Sequence, residues 1–509
     1  MAAGEEPKMH LSAFALAAVL LAQPATPTPP GPPSAPPETE AHFTVSTTDA
    51  GAQAAFDRGL TLLYAFNPQE ARRAFEQAAT LDPKLAIAQW GIAMSYGVDI
   101  NTPYVPSSQA QGHDAITRAQ MLATAATTTP LEHALIDAAV PRYRFTAEQD
   151  ADRSARAFSD AMASVAARFP HDVLALVLAA EAAMDCNGTY WTKDGQPEAG
   201  TLTTIALLHQ ALAIDPQNIG ANHLLIHMLE ASPHPQDALP AAEVLAGDQF
   251  EPAAEHLAHM PAHIFMRVGD YHAAGEANRL AVEHFEAYLK SDHAVGHEQY
   301  LAHDLVFEVE AYMMSGEFAQ AQRAAQDFKR DVRVNSPFAD DVAVRFGHCE
   351  LVSATSGFAA GYCSARAGQT AQAQKISHDL RALGSDLLTI PADLIDAQLA
   401  ENRGDRATAI ALLQHAVSIQ DNFPYQEPPA WFLPVRERLG AVYYRAGEFA
   451  DAERTFRDDL LRNPNNPRSL FGLARSLEQE GKADEAADVQ REFETAWAHA
   501  DTSLDMKDL

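Results

Sequence analysis

From about residue 50 onward the chain repeats one pattern. Apolar residues, many of them alanine, recur at helical spacing, and the runs end at turn signals such as Asp82-Pro83, Asp215-Pro216 and Asn463-Pro464. No alternating apolar–polar stretch marks a β-strand. The pattern predicts an all-α chain of paired helices, with longer loops over 98–112 and 186–201. The first residues read differently. Residues 11–22 form an apolar run of signal-peptide length, and Gln23 to Ala41 holds eight prolines in nineteen residues. This predicts a signal peptide over 1–22, a Pro-rich linker over 23–44, a helical domain over 45–500 and a tail over 501–509. The n-region carries Glu5 and Glu6 against Lys8, so a cytoplasmic tail is the alternative to export.

The helical spacing resembles the tetratricopeptide repeat, a 34-residue helix–turn–helix. Gly59, Ala71, Phe75, Ala78 and Pro83 fall at repeat positions 8, 20, 24, 27 and 32. Gly440, Ala452, Phe456 and Pro464 fall at 8, 20, 24 and 32 near the other end, and Ala474 and Ala486 follow one period later. Small residues at 8 and 20 let two helices approach, and Pro at 32 ends the second. The resemblance implies a helical-repeat solenoid with a concave groove faced by positions 2, 5, 9, 12 and 13. On that phase Trp90 and Met94 line the early groove at positions 5 and 9.

Charge and composition narrow the partners. The formal charge of −32 would repel a phosphate backbone, so nucleic acid is not expected as a partner. No long apolar run follows residue 22, so no membrane span is expected. Cys186, Cys349 and Cys363 make no metal motif, and whether Cys349 and Cys363 pair stays open.

Histidine is the anomaly. Eleven of 21 lie between His223 and His303. His223 and His227 stand at i, i+4; His256, His259 and His263 stand at i, i+3, i+7; His303 opens a further helix. In the repeat phase, His223 and His227 take positions 5 and 9, His256, His259 and His263 take 2, 5 and 9, and His303 takes 2. Six imidazoles from three consecutive repeats are therefore expected to face one groove. Neutral imidazole is the commonest metal ligand, and a set without thiolates argues against a structural Cys-type zinc site. A transition metal is expected, copper before zinc or iron. Six ligands can serve two ions, or one ion with the rest positioning substrate.

Other residues cluster around this set. Glu230 follows His227 by three, and Glu310 sits at repeat position 9; either could ligate, orient a histidine or act as general base. Asp185 falls at position 13 and leads into a loop with Trp191. The segment Asn422–Arg436 carries Tyr425, Glu427, Trp431 and Arg436 between prolines that impose an extended path, and could reach across the groove. His293 and His297 are possible extra ligands.

Taken together, Tyr190-Trp191-Thr-x-Asp194-Gly195, Asn222-His223-Leu-x-Ile-His227, Glu230-Ala-Ser-Pro-His-Pro235, His256-Leu-x-His259-Met-Pro-x-His263, Arg267-Val-Gly-x-Tyr271 and Glu427-Pro-Pro-x-Trp431 resemble motifs of a family of bacterial tetratricopeptide proteins. The resemblance covers most of residues 50–480 and adds Arg267 and Tyr300 to the substrate-side residues. It departs at the third histidine motif, Tyr-x-x-His-Asn-x-His in the family. Tyr300 and His303 match, but Asp304 and Val306 replace the remainder, so one expected imidazole is missing. The family supplies no reaction.

Four functions compete: an exported copper oxidoreductase acting on a small molecule or peptide in the groove, a zinc hydrolase with Glu230 or Glu310 as base, a metal-buffering protein, and a scaffold that binds a protein partner's peptide without catalysis.

Overall fold

The computed structural model describes residues 40–101, 105–125, 127–144, 151–247, 249–291, 298–332, 337–353, 355 and 357–509. The expected signal peptide and most of the expected linker lie outside these residues, as do His293 and His297. Among the described residues the chain is helical from Ala50–Tyr64 to Ala483–Ala496, with no β-strand and one isolated bridge between Trp191 and Pro197. None of these helices is long and apolar enough to cross a membrane.

Local sequence starts the helices where expected. Asp49 accepts from the Ala52 N–H, Asn67 accepts from Glu70 ahead of Pro68 at the first helical position, and Asn218 and Asp270 cap Ile219–Leu229 and Tyr271–Tyr288. The expected loop over 98–112 is shorter in the structure. Val105 is extended and Pro106 begins a helix to Leu122, because proline's fixed φ suits the first turn.

Successive helices pack on one another as a repeat solenoid. The repeat phase shows in the aromatic at position 24. The Phe75 ring lies where a Cβ on Gly59 or on Gly91 of the next repeat would come within 2.7 or 2.5 Å of it. Phe456 fills the same niche between Gly440 and Gly472. Glycine at these sites allows the close approach of neighbouring pairs.

The solenoid also closes on itself. Asn67 donates to the Ala253 carbonyl at 2.9 Å, the Tyr288 hydroxyl donates to Glu70 at 3.0 Å, and Arg58 pairs with Glu251 at 2.9 Å. From the other end, the Tyr271 hydroxyl donates to the Pro464 carbonyl at 3.0 Å and Asn465 to the Val268 carbonyl at 3.1 Å. The 501–509 tail packs against the repeats. Asp501 receives the N–H groups of Phe318 and Ala319, and Leu509 is buried with its carbonyl held by Arg438. The middle repeats, which carry the histidines, are thus gripped by both ends. Cys349 and Cys363 form a disulfide with Cα atoms 5.5 Å apart.

Candidate metal centre

Three helices bring the six histidines together. Ile219–Leu229 carries His223 and His227. Glu255–His259 and Pro261–Val268 form one continuous run, because Met260 between them keeps α-helical angles (φ −52°, ψ −37°). That run carries His256, His259 and His263 on one stripe. Glu298–Ser315 carries His303. Five of the six are buried, and His303 is half-buried.

They divide into two groups of three. His223, His227 and His256 each place one ring nitrogen within 4.8 Å of the others, and so do His259, His263 and His303. Each group could hold a metal ion. The division follows helix geometry: the 256–263 stripe spans about 10 Å, so His256 falls one turn short of its helix mates and joins the neighbouring helix.

Hydrogen bonding fixes which nitrogen faces inward. His223 Nδ1 is 2.6 Å from the Tyr64 carbonyl oxygen, which can only accept, so Nδ1 carries the proton and Nε2 bears a lone pair. His259 Nδ1 is 2.6 Å from Asn278 Oδ1. The Asn278 amide is oriented by its own donation to the Ala274 carbonyl at 2.9 Å, so His259 is also protonated at Nδ1. Glu230 faces Nδ1 of both His227 (3.4 Å) and His263 (2.8 Å), linking the two groups through one carboxylate. The inward Nε2 atoms then meet in pairs: His223 to His227 at 3.1 Å, His259 to His263 at 2.8 Å and His259 to His303 at 3.1 Å. Two lone pairs at such distances repel unless a cation lies between them. Two imidazoles on one tetrahedral ion would stand about 3.3 Å apart at ordinary metal–nitrogen lengths.

A proton is a poor candidate for that cation. Burial, then the neighbouring imidazoles, holds His223, His256 and His259 well below the usual histidine value, and His303 is pushed down to about 3. His263 is the exception. Burial opposes its charge, but Glu230 beside it raises its pKa. Glu230 responds in kind: burial would raise it, yet His263 and His227 hold it below the usual carboxylate range. Both nitrogens of His256 and Nδ1 of His303 are buried without a hydrogen-bond partner.

Other residues complete the centre that the sequence pattern did not single out for it. Phe66, at a left-handed φ of 52°, sets its ring 4.5 Å from His223 and 5.4 Å from His256. Phe307 lies 5.1 to 5.4 Å from His259, His263 and His303. Asn278 orients His259, and the buried Asp304 carboxylate approaches His259 Nδ1 at 3.1 Å. The Tyr64 carbonyl reaches His223 because Gly220 lets the two helices touch; a Cβ there would come within 2.6 Å of the Tyr64 ring.

A cleft of about 1070 Å³ opens in front of the centre, with His227, Glu230 and Glu310 among its lining residues. Its walls are the 188–195 loop and the 423–436 segment, linked by Lys193 donating to Asn422 at 3.1 Å. Trp191, Arg267, Tyr425, Glu427, Trp431 and Arg436 all line it. Trp191 donates to the Met228 carbonyl at 2.7 Å, which anchors that wall to the His223–His227 helix. Arg267 donates to the Glu230 and Ser232 carbonyls at 2.9 and 3.3 Å and lies over the Tyr425 ring, while Arg436 pairs with Asp421 at 2.6 Å. The structure does not bring Asp185 or Tyr300 to the cleft. Asp185 pairs with Arg142 at 3.4 Å in a buried cluster, and the Tyr300 ring packs 5.0 Å from His256.

No protein-family model matches the chain, and no curated protein matches it. Among solved structures it is similar to the human IFIT1 dimer with m7Gppp-AAAA at 16% identity, covering 87% of this chain and 91% of that one, with a TM-score of 0.32. It is also similar to the APC/C hetero-tetramer Cut9-Hcn1 at 14% identity, covering 88% and 74%, with a TM-score of 0.29.

Proposed function

We propose that this chain is a metalloprotein that holds two transition-metal ions, one on His223, His227 and His256 and the other on His259, His263 and His303. The observation that carries this reading is the facing of Nε2 lone pairs at 2.8 to 3.1 Å, with the outer nitrogens tied to a carbonyl, an amide and a shared carboxylate. That arrangement of outer partners is how proteins orient metal-bound imidazoles. A donor set of imidazoles alone suits copper first, with zinc or iron as alternatives. A redox metal here would supply electron transfer to or from a small molecule or peptide in the cleft, making the protein an oxidoreductase. The hydrolase reading is weaker, since Glu230 is engaged by two imidazoles and orients them, leaving Glu310 as the free carboxyl. The Cys349–Cys363 disulfide supports an exported, oxidising location.

Elemental analysis of protein purified without a polyhistidine tag tests the reading. Two ions per chain are expected in the wild type and one in either His223→Ala or His303→Ala. A wild type that stays metal-free after loading with copper, zinc and iron in turn sinks the proposal.

A further inference from the structure

Among the described residues, the cleft holds two carboxyls that no cationic side chain pairs with. Glu310 is 1% exposed, and its Oε2 has no hydrogen-bond partner. Burial, then Glu427, pushes its pKa well above the usual carboxylate value. Glu427 is half-buried, accepts from the Tyr425 hydroxyl at 2.5 Å, and is raised to about 7. The cations along the wall that could have neutralised this pair are committed elsewhere. Arg267 serves two backbone carbonyls and the Tyr425 ring, Arg436 and Arg462 serve Asp421, and Lys193 serves Asn422. The same cleft is walled by Trp191, Phe423, Tyr425 and Trp431. Two carboxyls without a cationic partner inside an aromatic enclosure suit an organic cation: a nearby ammonium favours their ionised form, carboxylates accept charge-assisted hydrogen bonds, and ring faces attract positive charge.

We infer that the cleft binds the protonated amino group of a small amine with an apolar body, its ammonium on Glu310 and Glu427 and its body against the aromatic walls. This rests on the metal reading, which makes the cleft floor at His227 and Glu230 the place where a bound molecule meets the ions. The arrangement rejects carboxylate ligands, which would meet Glu230, Glu310 and Glu427 together. It also gives a role to one aromatic and one acidic side chain, Tyr425 and Glu427, on a segment tied down by Lys193 at Asn422 and Arg267 at Tyr425.

Calorimetric titration of the metal-loaded protein with benzylammonium, benzyl alcohol and benzoate tests it, since the three share one ring and differ in charge. Benzylammonium is expected to bind about 10–100-fold more tightly than benzyl alcohol, as for a hydrogen bond to a charged group, and benzoate more weakly still. Glu427→Gln, on the loop, and Glu310→Gln, in the core, should each remove about tenfold or more of that preference with metal content unchanged. Thermal melting checks that each variant is folded, and Glu427→Gln carries the test should Glu310→Gln misfold. Equal binding of the alcohol, tighter binding of benzoate, or loss of metal in Glu427→Gln would overturn the inference, the last by making the carboxyl a metal ligand. A metal-free wild type that still prefers benzylammonium would remove the metal reading and leave this one standing.

Discussion

The closure of the solenoid onto its histidine repeats can be tested at one atom. Gly269 ends the Pro261–Val268 helix at φ +80°, and a Cβ there would overlap the Pro464 carbonyl oxygen and come within 2.6 Å of the carbonyl carbon and 2.9 Å of Asn465 Cβ. Gly447 ends another helix at the same φ of +80°, but a Cβ there meets nothing within 4 Å. Alanine at either site bears the left-handed cost of about 1–2 kcal/mol. Only at Gly269 must the 464–465 turn also move away, breaking the Tyr271 and Asn465 hydrogen bonds to and from it. Each is worth about 0.5–1.5 kcal/mol, so Gly269→Ala should lose about 2–5 kcal/mol and Gly447→Ala about 1–2. The effect of alanine on the unfolded chain is shared and cancels in the comparison. Urea unfolding of both metal-free variants, followed by tryptophan fluorescence, gives the difference. Equal losses would mean that the C-terminal turn is not seated on the end of the histidine helix.

Asn278→Ala should weaken metal binding about 10–100-fold at the His259 group and leave the His223 group unchanged, read by competition with a chelator; equal weakening of both groups would contradict the division into two. In the metal-free protein the buried histidines should cost stability in acid, against raised carboxyls such as Glu308, Glu310 and Glu427 that gain it. Histidines in the unfolded chain protonate near pH 6.5, whereas burial lowers His223, His256 and His259 and puts His303 at about 3. At these histidines the unfolded chain takes up protons first, so their contribution is full above about pH 6.5 and falls as pH drops towards 3, with the raised His263 offsetting part of the loss. Metal-free His303→Gln should therefore lose less melting temperature than the metal-free wild type between pH 7.5 and 5, and an equal change in the two would contradict this. Reducing Cys349–Cys363, which closes a separation of 14 residues, should cost about 3 kcal/mol in urea unfolding; an unchanged midpoint would show that the bond does not constrain the unfolded chain.

Helical spacing and repeat phase made the architecture legible, because small residues at fixed positions are a direct requirement of helix–helix approach. They also made the six histidines legible, since i, i+4 and i, i+3, i+7 spacings translate into one helix face. What stayed hidden was supplied across long sequence distances or by the backbone. The Tyr64 carbonyl is 159 residues from His223 and carries no side-chain signature. Phe66 and Phe307 read as ordinary core positions. Asn278 lies on the second helix of its repeat, a face that the groove rule assigns elsewhere. Asp185 shows the reverse: its repeat position pointed to the groove, but it pairs with Arg142, 43 residues earlier, in a buried cluster.

The two-sided grip on the histidine repeats also sets an order of assembly. Every imidazole, together with Tyr64 and Phe66, is synthesised by residue 303, while the cleft wall at 423–436 and its anchor at Pro464 follow much later. The contact between Tyr271 and Pro464 spans 193 residues, so it forms after the local helix pairs have collapsed. A chain that has formed only its local helix pairs would leave the inward nitrogens without the 423–436 wall that stands before them in the finished protein. A cation would then meet the six imidazoles before that wall is in place.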